Sequence, residues 1–155
     1  MTTRRMDSHQ WDSSLDPEVV PLFLALHWAQ SRSLEAMKPF LASHGLSMAE
    51  FDVLATLRNA PSPHEMTPKD IQDHVVITSG GLTKVMMQLE SRALVERLQL
   101  QDDLRVKPVR LTAGGKALIE GSMAEMVAAT GAWLRGSLAA DEIRLLTTLL
   151  ARIAE

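Results

Sequence analysis

TSGGLTKVMMQLESRALVERL, residues 78–98, decides how the whole chain is read. Leu82, Met86, Leu89 and Ala93 recur at helical spacing, and the run then passes into LVERLQL (94–100), a Val- and Leu-rich stretch that reads as strand. Gly80 and Gly81 stand together at or near the helix start, although glycine inside a helix costs about 0.5–1 kcal/mol relative to alanine. Around them lie Thr78, Ser79, Thr83 and Lys84, small hydroxyls and one cation. A nucleotide-binding phosphate loop would need G-x-x-x-x-G-K-[ST] or G-x-G-x-x-G, and the stretch matches neither. Two readings remain: a flexible loop before a helix beginning at Leu82, or a helix N-terminus that presents free N–H groups and small polar side chains to an anion.

The neighbours favour a contact surface. Downstream, the polar turn QDDLR (101–105) joins LVERLQL to VKPVRLT (106–112), so the two strand-like runs form a hairpin. Pro108 cannot donate a ladder hydrogen bond, which predicts that the second strand is a sheet edge. Upstream, Thr67 and Pro68 begin a short helix as N-cap and first residue, and LSMAEFDVLATLRNA (46–60) opens with Ser47 and Glu50 in capping-box spacing. A long helix begins with Asp16 as N-cap and Pro17 and stops at Gly45; Pro39 should kink or interrupt it near Met37–Lys38. Thr112 caps another helix from about Ala113 to Arg135, and Asp141 caps the last, from Glu142 to Ala154. The order α-α-(short β)-α-α-β-β-α-α gives a mainly α fold with a small β-hairpin. Two short helices and a hairpin form a winged helix-turn-helix, whose second helix enters the DNA major groove.

This divides the chain into a flexible arm (1–15), a winged helix-turn-helix DNA-binding domain (46–112), and a helical dimerisation region made of 16–45 and 113–155. Phe23 and Trp28 near one end, with Leu145 and Leu149 at the other, carry more apolar surface than one small lobe covers, and so predict a homodimer. The alternative is that these stripes pack on each other within one chain. The net charge of −3 argues at first against nucleic acid, but residues 67–116 hold eight basic side chains against six acidic, and both flanks are acidic. With no cysteine, thiolate metal sites and a Cys nucleophile are excluded, and the five histidines show no i, i+4 pairing. No metal, cofactor or catalytic constellation is indicated, so an enzyme is not expected. Lacking a secretory h-region and any apolar run long enough to span a bilayer, the chain is expected to be cytoplasmic.

LSMAEFDVLATLRNA, TPKDIQDHVVITSGGLTKVMMQLESRALVERL and DDLRVKPVRLTAGGKAL together resemble the multiple-antibiotic-resistance regulator (MarR) family of dimeric winged-helix transcription factors. The most specific piece is the wing pattern D-x-R-x-x-x-V-x-L-T, met by Asp103, Arg105, Val109, Leu111 and Thr112. The resemblance implies double-stranded DNA as partner. Ser79, Gly80, Thr83 and Lys84 match the start of the recognition helix, Arg105 the wing-tip arginine of the minor groove, Asp103 its ion-pair partner, and Thr67 the start of the supporting helix. Met87 should point outward on the recognition helix, where it can meet a thymine methyl, and Lys107 and Arg110 add positive charge near the wing.

The chain is most similar to the urate-responsive branch, in which a site between the DNA-binding lobe and the dimer helices uses a Trp, an Asp and arginines. Trp11, Asp52 and Arg97 match three of these, and His27 beside Trp28 either lines the pocket or sits in the dimer core. Val85 stands where the branch carries an arginine, which argues against urate and for a less anionic aromatic, phenolic or purine-like effector. Each of these residues has a plainer alternative. For Trp11 it is a staple for the arm, for Asp52 an acidic residue favoured by the helix dipole in a first turn, and for Arg97 a strand surface charge. The competing function is a winged-helix module for protein contacts without ligand control.

Overall fold

The computed structural model describes residues 11–98 and 107–154. Its elements are α1 (Val19–Ser43), α2 (Met48–Asn59), β1 (Glu65–Met66), α3 (Pro68–His74), α4 (Ser79–Ser91), β2 (Val95–Arg97), β3 (Val109–Leu111), α5 (Ala113–Ser137) and α6 (Ala140–Ala154). The fold is mainly helical with one small antiparallel sheet, as expected. The chain divides into two compact units between Lys38 and Pro39.

In the first unit, the Asp16 carboxylate accepts hydrogen bonds from the amides of Glu18 (3.0 Å) and Val19 (2.9 Å), which starts α1. The Trp11 ring lies 5.4 Å from Phe23, tilted by 31°. His27 and Trp28 meet edge to face at 6.2 Å. Pro39 does not interrupt α1, which is assigned as unbroken helix to Ser43. Only the last turn follows this proline, and the turn is closed by Gly45 at φ +62° and by the Leu46 amide bonding back to the Leu41 carbonyl at 2.8 Å.

The second unit is built around α2. Ser47 caps it and Glu50 reaches back to the Ser47 amide at 2.8 Å, which completes the capping box. Glu50 is itself buried and pairs with Arg92, just past the end of α4, at 3.1 Å. Val53, Leu54 and Leu57 of α2, Ile71 of α3, Met86 and Leu89 of α4, Val109 of β3 and Ile119 of α5 make a closed apolar core. Arg58 and Glu120 fasten α2 to α5 at 2.7 Å.

The sheet corrects one expectation. Its order is β1-β3-β2, so β3 is the central strand, not an edge. Pro108 is tolerated because β3 begins one residue later and β1 pairs only as far as Val109. The Pro108 carbonyl still accepts from the Leu98 amide at 2.8 Å. On β3, Arg110 is flanked by Glu65 of β1 at 3.2 Å and Glu96 of β2 at 3.7 Å. Its charge is therefore compensated within the sheet and is not a free cation for DNA. Asp141 is also not the cap of the last helix. It lies inside the first turn of α6, and the Ala139 amide is bonded instead by the Glu142 carboxylate at 2.7 Å. Ala93, expected on the inner face of α4, is exposed at φ +54°, in the turn that leaves the helix.

Candidate nucleic-acid interface

The two glycines that open α4 are helical. Thr78 is the N-cap and its hydroxyl accepts from the Gly81 amide at 3.1 Å, so the helix begins at Ser79, three residues before Leu82. Helical period then sorts the side chains. Leu82, Val85, Met86 and Leu89 are buried, and Ser79, Gly80, Thr83, Lys84 and Met87 share the exposed face. The exposed Thr83 hydroxyl donates to the Ser79 carbonyl at 3.1 Å and so can still accept a hydrogen bond. A Cβ built on Gly80 would meet nothing within 4 Å, whereas one on Gly81 would lie 3.0 Å from both Ile77 and the Thr78 hydroxyl. Gly80 therefore opens a bare patch of backbone at the positive end of a helix dipole.

The supporting helix α3 is capped by Thr67, which accepts from the Asp70 amide at 3.1 Å and donates to the Asp70 carboxylate at 2.7 Å. Its hydroxyl is thus committed to the fold. Between α3, α4 and β2 runs a groove of about 310 Å³, lined among others by Pro68, Lys69, Gln72, Ser79, Thr83 and Arg97. Lys69 and Gln72 were not singled out from the sequence. Their signal is their spacing after Pro68, which puts both on the side of α3 that faces α4. Arg97 was expected at an effector site. It lies in this groove, held by Glu90 at 2.7 Å, and so joins β2 to α4.

Lys107 is exposed. Asp103 and Arg105 lie outside the described residues. Asp52 is half-buried, and burial pushes its carboxyl above the usual carboxylate range. It is the fifth residue of α2, past the first turn, so the helix dipole does not account for it. Val85, read as a missing ligand arginine, is a core residue of the lobe. Trp11 and Phe23 are more than half exposed, His27 is exposed and Trp28 half-buried. On α6, Leu145 and Leu149 belong to an exposed row with Leu146, Leu150 and Ile153.

The MarR family profile matches residues 46–107. An HTH-type transcriptional regulator of Bacillus subtilis, YdgJ, is 35% identical over 121 residues, covering 74% of this chain and 67% of the relative. The chain belongs to the MarR family. It is accordingly a winged-helix, DNA-binding transcription regulator. The multiple antibiotic resistance protein MarR of Escherichia coli is 28% identical over 91% of this chain and 96% of its own length. A mutant of that MarR, solved in complex with operator DNA, superposes with a TM-score of 0.76 over 89% of this chain and 96% of its own. NadR in complex with 4-hydroxyphenylacetate shares the MarR fold, with a TM-score of 0.68 and 24% identity over 85% of this chain and 91% of its own. Among the described residues no helix is long and apolar enough to cross a membrane.

Proposed function

We propose that the chain is a homodimeric repressor of the cytoplasm that binds a pseudo-palindromic operator and leaves it when a small aromatic or phenolic effector binds. The observation that carries the DNA contact is the division of α4. Every residue expected at DNA there (Ser79, Gly80, Thr83, Lys84 and Met87) is exposed, and Leu82, Val85 and Met86 between them are buried. A helix N-terminus with hydroxyls and one lysine fits phosphate oxygens and base edges. Thr67 contributes by fixing α3, and Lys107, with Asp103 and Arg105, would carry the wing to the minor groove.

The exposed apolar rows support the dimer. On α6, Leu145, Leu146, Leu149, Leu150 and Ile153 are between 37% and 66% exposed, a surface suited to a second copy. Phe23 and Trp28 of α1 are assigned to the same interface. In a dimer the two α4 helices must sit about 34–36 Å apart to read successive major grooves. An effector that changes this spacing lowers affinity, with a coupling of about 1–3 kcal/mol.

Asp52 is the side chain assigned to the effector, because a half-buried carboxyl that burial keeps closer to its neutral form suits a phenol or aromatic acid better than a dianion. Of the other expected contacts, Trp11 and His27 belong to the first unit, and Arg97 lines the groove with Ser79 and Thr83. The similarity to the urate-responsive branch stops at Val85, which is in the core and has no part in an anion site. NadR, which shares the fold, was solved with a phenolic acid, and this agrees with the effector class. The test is a gel shift on the chain's own upstream DNA with a panel of phenols, aromatic acids and purines. Release by one class at Asp52 but not at Asp52→Asn is expected; equal release of both proteins removes Asp52 from the effector site.

A further inference from the structure

Resting on the DNA reading of α4, we propose that Met87 is a modification site: oxidation of its sulfur to the sulfoxide lowers DNA affinity. Three observations meet at this residue. Met87 is 63% exposed, while its neighbour Met86 is 1% exposed, and every other described methionine is buried or half-buried. Met87 stands one turn beyond Thr83 and Lys84, on the face of the recognition helix that presents Ser79 and Gly80. The chain of 155 residues contains no cysteine, so no thiol competes for an oxidant and the thioethers are its only reactive sulfur.

The chemistry needs a two-electron oxygen donor such as hypochlorous acid. In net terms an S–O bond forms on Met87 and the O–Cl bond breaks. Sulfur gives up two electrons, chloride leaves with them, and the hydroxyl proton passes to water. The product replaces a flexible apolar side chain with a polar, chiral one. At a groove surface, the thioether that fits a thymine methyl becomes an acceptor dipole, which repels neighbouring base acceptors and phosphates. Met86, sealed in the core a hundred degrees around the helix, is spared, so the fold survives the modification.

The test treats the full chain with a small molar excess of hypochlorous acid. Peptide fragmentation locates the added oxygen, and fluorescence anisotropy measures binding to a duplex from the chain's own upstream region. The expected result is oxygen on Met87 before Met86, and a loss of affinity of about tenfold that methionine sulfoxide reductase reverses. Met87→Leu should lose little of its own starting affinity on oxidation, Met87→Gln should bind more weakly than Met87→Leu without any oxidant, and bound duplex should slow oxidation of Met87. The proposal is overturned if Met87→Leu loses as much affinity as the parent, or if oxidised Met87 leaves affinity unchanged. If the untreated protein itself does not bind the duplex, the DNA reading of α4 falls together with this one.

Discussion

Gly80→Ala separates the fold of α4 from its contact with DNA. The added methyl meets nothing within 4 Å, so no side chain or backbone in the protein has to move. Alanine also loses less conformational entropy than glycine on joining a helix, so the folded state should gain up to about 0.5–1 kcal/mol. For a chain of this size that raises Tm by about 1–4 °C. The effect on DNA runs the other way. If first-turn amides approach a phosphate, a methyl on that bare backbone holds it off, and one charge-assisted hydrogen bond is lost or lengthened. That loss is worth about 1.5–3 kcal/mol, or tenfold and more in affinity. Circular-dichroism melting and anisotropy titration of the upstream duplex read the two terms on the same sample. A variant that melts higher but binds DNA as well as the parent refutes the close approach at Gly80. A variant that melts several degrees lower refutes the open environment of its Cβ. Gly81→Ala is the internal comparison. Its Cβ would sit 3.0 Å from Ile77 and the Thr78 hydroxyl, so little or none of the stability gain should appear.

Gly115→Ala should be severe. Its Cβ would overlap the Leu94 carbonyl, so the start of α5 must move off the bend that leads into β2, at a cost of about 1–3 kcal/mol or more, read as a lower urea midpoint. Ser122→Ala should be neutral or stabilising by up to about 1 kcal/mol, because the hydroxyl is buried without a hydrogen-bond partner; a marked loss in denaturation would show that it has one. Asp52→Asn should make the protein more stable than the parent at neutral pH. Burial raises the Asp52 pKa in the fold, so the stability linked to its neutral form is present below the ordinary value of 3.8 and is lost as pH rises through the higher folded value. The gain from Asn should therefore shrink as pH falls towards 3.8, and a gain independent of pH would contradict the burial effect.

The parts of the fold legible in the sequence are those fixed by local hydrogen bonding. Ser47 with Glu50, Thr67 with Pro68, Thr112 and Asp16 each settle a helix start within three residues, and the structure uses them. Tertiary partners were not legible. Pro108 suggested an edge because β1 is only two residues long and hidden in a connector, so nothing in the sequence announces the strand on the far side of β3. Arg110 looked like a wing cation until Glu65, 45 residues earlier in the chain, met it across the sheet. Arg97 and Glu90 are separated by a turn that puts them side by side, and this carries Arg97 to the groove between α3 and α4. Val85 drew attention for its ligand chemistry, although its place in the helical period already made it core. Gly115 gave no sign, since close approach to the Leu94 carbonyl exists only in the assembled lobe.

The exposed face of α4 is tested most directly by the salt dependence of DNA binding with and without Lys84. The parent's affinity for the upstream duplex should fall linearly in log–log form as salt rises. Lys84→Ala should weaken binding and flatten that slope by about 1.8, one phosphate contact from each protomer of the dimer, with no change in melting temperature because the side chain is exposed. An unchanged slope and affinity for Lys84→Ala would mean that this face of α4 does not meet DNA.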